Sequence, residues 1–128
     1  MKTLLIGLQK VAEIVADEKP DLHFFALVHP VDGLWDHWDL LVSSDQLQPW
    51  SMEARTYIDD YLRKKLSSED LVKISRIVAL PPDNKIIRSL IDDEQIDLGK
   101  LVPLSHDANF DEVCVLWPKK GSKHAAPA

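Results

Sequence analysis

Leu4, Leu5, Leu8, Val11, Ala12 and Val15 recur at three- and four-residue intervals, while Lys2, Gln9, Lys10, Glu13 and Asp17 fill the other positions. This spacing predicts an amphipathic helix that ends near Pro20. The period then changes. Residues 22–29, LHFFALVH, form a mostly apolar run closed by Pro30, and residues 38–44, WDLLVSS, form a second run after a turn containing Asp32 and Gly33. Two strands in a hairpin are the simplest reading. Alternation sets Phe24, Ala26 and Val28 against His23, Phe25, Leu27 and His29, and sets Trp38, Leu40 and Val42 against Asp39, Leu41 and Ser43. Both faces are largely apolar, as expected of strands inside a sheet.

Farther on, residues 51–65 carry Ala54, Tyr57, Ile58, Tyr61 and Leu62 on one stripe, with Arg63, Lys64 and Lys65 complementing the negative end of a helix. Ser67 then caps one helical turn, LSSEDL. VKISRIVAL at 72–80 alternates like a third strand and stops at Pro81-Pro82. Asp83 is expected to cap a short helix built on Ile86, Ile87, Leu90 and Ile91. Gly99 and Pro103 allow only a short edge strand around Lys100–Val102, and VCVLWP at 113–118 reads as the last strand. The expectation is a single α+β domain over residues 1–118, in the order α-β-β-α-β-α-β(β). It has about three helices and a mixed sheet of about four to five strands, which helices on one face would suffice to cover. Residues 119–128, small, basic and proline-terminated, are expected to form a flexible tail.

With 128 residues, 45% of them apolar and 28% charged, the chain can build its own core. A net charge of −6 gives no global reason to bind nucleic acid or an anionic membrane. The apolar start breaks off after Leu8 at Gln9 and Lys10, unlike a signal peptide, and no run of about 18 apolar residues would span a bilayer. One cysteine, Cys114, sits among apolar neighbours and reads as a buried, inert thiol; with no disulfide to close, a cytoplasmic location is expected.

Candidate chemistry gathers around the hairpin turn. A register matching His29 with His37 would set His29, His37 and Asp39 on one face, and two imidazoles with a carboxylate suit a divalent metal. Histidines flanking a turn are more often surface hydrogen-bonding groups, so the primary expectation is no metal. The helix, apolar strand, turn and Asp39-Leu40-Leu41-Val42 strand, followed by helix and strand, resemble the minimal nucleotidyltransferases over about residues 1 to 80. That resemblance implies carboxylates holding magnesium with a nucleoside triphosphate, Asp39 serving as one ligand and Asp36 or His37 assisting. Three departures mark the motif as degenerate. His37 stands where the first aspartate belongs, Phe25-Ala26-Leu27 replaces a Gly-Ser, and KISRIVAL offers no carboxylate.

Elsewhere, Asp92, Asp93, Glu94 and Asp97 lack calcium-loop spacing and read as a solvated helix end. Ser105, His106 and Asp107 are adjacent in sequence but without a nucleophile elbow. Four tryptophans are more informative, because Trp35, Trp38 and Trp50 bracket the turn and the second long helix. Trp38 alternates with Leu40 and Val42 and belongs to the core, whereas Trp35 and Trp50 are the candidate contact residues. The expected function is a non-catalytic, nucleotidyltransferase-like interaction module that binds a protein partner or forms a homo-oligomer through the Trp35 and Trp50 region. The alternative is a divergent, magnesium-dependent nucleotidyltransferase.

Overall fold

The structure is a computed structural model of the chain and describes residues 1–104, 107 and 109–118. Ser105, His106 and the expected tail at 119–128 lie outside the described residues. Along the chain run α1 (Lys2–Glu18), β1 (Leu22–Pro30), β2 (Trp38–Ser44), α2 (Met52–Lys65), α3 (Ser68–Leu71), β3 (Ile74–Ala79), α4 (Lys85–Ile91), β4 (Leu101–Pro103) and β5 (Phe110–Trp117). One five-stranded mixed sheet has the order β3-β2-β1-β5-β4. Its pairs are antiparallel except β2 with β3, which are parallel. That one parallel pair is joined by α2 and α3, as parallel neighbours require a crossover.

β1 lies at the centre of the sheet, which explains why its faces are both apolar. Phe25, Leu27, Leu40, Val42 and Cys114 meet Leu8, Val15, Ile58 and Leu62 of α1 and α2 in one core. Phe24, Ala26, Val28, Leu41 and Val113 meet Ile87 and Leu90 of α4, with Leu104, in a second. The expectation of helices on one face is therefore corrected: two apolar strand faces need two covers, and α4 supplies the second. Each fully buried Phe or Leu contributes roughly 1.5–3 kcal/mol, so Phe24 and Phe25, on opposite faces, anchor both cores.

Local details follow from side-chain chemistry. Asn84, not Asp83, caps α4, its Oδ1 accepting from the Ile86 amide at 2.9 Å. Ser51 caps α2 through the Ala54 amide. β5 starts at Phe110, earlier than its apolar run, because Asp111 and Glu112 extend a ladder anchored at Pro30 and Pro103. Gly7 lets α1 approach the end of α2, since a Cβ there would lie 2.4 Å from Leu66 Cδ2. At the other end of α1, the Glu18 carboxylate accepts hydrogen bonds from the Tyr57 and Tyr61 hydroxyls of α2. Among the described residues, no helix is long and apolar enough to cross a membrane.

Candidate protein-interaction site

The β1–β2 ladder sets Val28 opposite Asp39, one residue away from the register that would match His29 with His37. A shift of one residue reverses the face of every side chain. His29 consequently lies beside Trp38, with ring centroids 5.0 Å apart, while Asp39 is on the opposite face of the sheet. This corrects the grouping of His29, His37 and Asp39 on one face.

Each of these groups has its own partner. The buried Asp39 carboxylate accepts from Arg76 Nη2 at 2.6 Å and Nε at 3.3 Å, a fork that a guanidinium makes well. Nδ1 of His29 faces an Asp111 carboxylate oxygen at 2.7 Å and its Nε2 faces the Leu34 carbonyl at 2.8 Å. Burial opposes charge on that ring, but the Leu34 carbonyl and then Asp111 overcome it and raise the histidine pKa. His37, in the exposed loop, is 3.6 Å from Asp36. Asp36 and His37 thus stay in the turn while Asp39 is held over β3. Among the described residues, no group of three or more His, Cys, Asp or Glu is placed to hold a metal ion. Asp93 caps a turn at the Gln95 amide and Asp97 pairs with Lys100. Burial pushes the Cys114 thiol up to about 11, so it stays protonated.

The tryptophans separate too. Trp35 is 83% exposed in the hairpin turn before β2, and Trp50 is 65% exposed beyond the other end of β2. Seven residues of extended strand put roughly 20 Å between those ends. The expectation of one Trp35 and Trp50 region is corrected, because they mark opposite ends of the sheet.

Trp50 borders a groove. About 890 Å³ of space runs along β3, between α2 residues Met52, Arg55 and Asp59 on one side and Leu41 and Ile86 on the other. At the groove's end Trp50 has φ 63, a left-handed conformation that a bulky residue rarely adopts. Its amide donates to the Ala79 carbonyl at 2.9 Å. β3 is also the sheet's open edge. Leu80 donates its amide to Val42 of β2, so alternation turns the amide and carbonyl of Ile77 away from β2 and into the groove, up to the register shift that lies between Ile74 and Arg76.

Sequence reasoning missed the groove and Arg76. An arginine at an alternating strand position was visible, but its proximity to Asp39 depends on the parallel pairing of β3 with β2. Comparison of the chain with protein-family models, with curated proteins and with solved structures gives no match.

Proposed function

We propose that this chain is a non-catalytic, nucleotidyltransferase-like interaction module of the cytoplasm that receives a segment of protein along β3, next to Trp50. Trp50 carries the reading: its indole is largely exposed, and its backbone sits in a conformation that costs of order 1–3 kcal/mol. A fold gains little by holding an exposed tryptophan that way. A docking site gains a rigid aromatic anchor beside unpaired strand amides, the chemistry by which an extended segment adds to a sheet.

Two observations favour binding over phosphoryl chemistry. Both oxygens of Asp39 are occupied by Arg76, and the other candidate ligands, Asp36 and His37, stay in the exposed turn. The acidic net charge speaks against nucleic acid as the partner. Selection of short peptides from a random library against the immobilised protein tests the reading. Selected peptides are expected to shift the amide resonance of Ile77 and the Trp50 indole, and to bind at least about tenfold more weakly to Trp50→Gly, where a hot-spot side chain is lost. Binders that leave those resonances unmoved, or a selection that yields none, would refute it.

A further inference from the structure

The groove along β3 carries charge of the opposite sign to the chain. Arg55, Arg63 and Arg76 line it against two carboxylates, Asp39 and Asp59, while the whole chain has a net charge of −6. Glu53 and Asp60, the other acids of α2, do not line it. Both groove carboxylates are committed. Asp39 takes Arg76 at 2.6 Å and Asp59 takes Arg63 at 2.7 Å, which leaves Arg55 without an ion pair among the described residues.

Arg55 is also poorly placed for the fold. It is exposed and lies one turn into α2, toward the positive end of the helix, where the backbone dipole opposes a cation and favours an anion. Trp50 and Met52, at the same end, expose their apolar side chains and line the groove with it. An apolar anchor and an uncommitted donor for an anion therefore adjoin in one stretch of chain.

Resting on the reading of this groove as a docking site, we infer that its occupant is a segment of another protein carrying an aspartate or glutamate beside an apolar residue, the carboxylate pairing with Arg55 and the apolar group packing on Trp50. A guanidinium receives a carboxylate through two parallel hydrogen bonds, which gives direction as well as attraction. At the edge of β3 the Ala79 carbonyl already takes the Trp50 amide, so backbone pairing is limited and side chains supply the selectivity. The groove's apolar walls separate this occupant from a nucleic-acid strand. Leu41, Ile77 and Ile86 would face phosphates there, whereas a peptide can set apolar side chains against them and present one acid to Arg55. The net charge repels a polyanion, but a segment with a single acid responds mainly to the cation nearest it.

Peptides selected from the random library against the full chain provide the test, with affinities read by fluorescence anisotropy. They are expected to share an Asp or Glu, and replacing that residue by Asn or Gln should weaken binding at least about threefold, the scale of a partly exposed ion pair. Arg55→Glu should weaken binding at least about tenfold, because attraction becomes repulsion, and a lysine in place of the peptide's acid should restore binding to that variant. Selected peptides without an acid, binding indifferent to Arg55→Glu, or a loss that the lysine peptide does not rescue would overturn the inference, as would displacement of the peptide by a short oligothymidylate. If such peptides still shift the Ile77 amide and the Trp50 indole, the docking groove stands and its charge preference alone fails. A selection that yields no peptide fells both, so the two failures are distinguishable.

Discussion

Nδ1 of His29 stands 2.7 Å from a carboxylate oxygen of Asp111, eighty-two positions along the chain, and ties the end of β1 to β5. The Leu34 carbonyl takes the other ring nitrogen, so both ring positions face acceptors and only the doubly protonated imidazolium satisfies both. Its folded pKa is raised above 6.5. A raised histidine pKa contributes stability that is complete below the unfolded value and lost as pH rises through the folded one. Urea midpoints should therefore fall as pH climbs past 6.5. His29→Gln should flatten that slope, and Asp111→Asn should lower stability by about 1 kcal/mol on its acid side, the scale of a partly exposed charged hydrogen bond. An unchanged slope in both variants would remove His29 as its source.

Asp70 works in the opposite pH direction. This buried carboxylate, within α3, accepts from Thr3 Oγ1 at 2.8 Å and lies 3.4 Å from Lys73 Nζ, so it fastens the start of α1 to the crossover. Burial pushes its pKa up, but Thr3, Lys73 and Ser67 outweigh that and hold it below 3.8. Its stabilisation is present above the unfolded value and lost as pH falls through the folded one. Asp70→Ala should cost about 2 kcal/mol at neutral pH and Thr3→Val about 1, both measured by denaturant titration. The two losses together should fall short of their sum, because the residues share one bond.

Trp50→Gly should separate stability from binding. Glycine adopts φ 63 without a Cβ clash, so the variant is expected to be as stable as the parent or up to about 1 kcal/mol more so. Thermal unfolding checks this. A fall of several degrees would mean that the indole packs in the fold rather than serving a partner.

Ser43 carries the one buried side-chain oxygen among the described residues that lacks a hydrogen-bond partner. An unpaired buried hydroxyl is a liability, so Ser43→Ala should raise stability by roughly 1 kcal/mol in calorimetry. Phe24, also fully buried, lies across the ladder from Ser43.

Periodicity along the chain was enough for the long elements. The stripe from Leu4 to Val15, the doubly apolar runs 22–29 and 38–44, and the stripe from Ala54 to Leu62 each became the expected helix or strand. Short-range chemistry was legible where it depends on neighbours, as with Ser67 capping α3. It failed by one residue at α4, where Asp83 and Asn84 are both competent caps and only the backbone path selects Asn84.

The candidate site was legible only in its parts. The exposure of Trp35 was legible from its turn-rich surroundings, and a strand's worth of apolar residues at 72–80 was plain. The separation of Trp35 from Trp50 by the length of β2, the pairing of Arg76 with Asp39 and the openness of the β3 edge were not, because each depends on register and strand order. Sequence alone determined which stretches bury themselves, since burial follows from composition and local period. The tertiary structure decided which residues share a face and which strand is left at the rim, because a one-residue slip costs nothing locally and is settled only by the simultaneous packing of two cores.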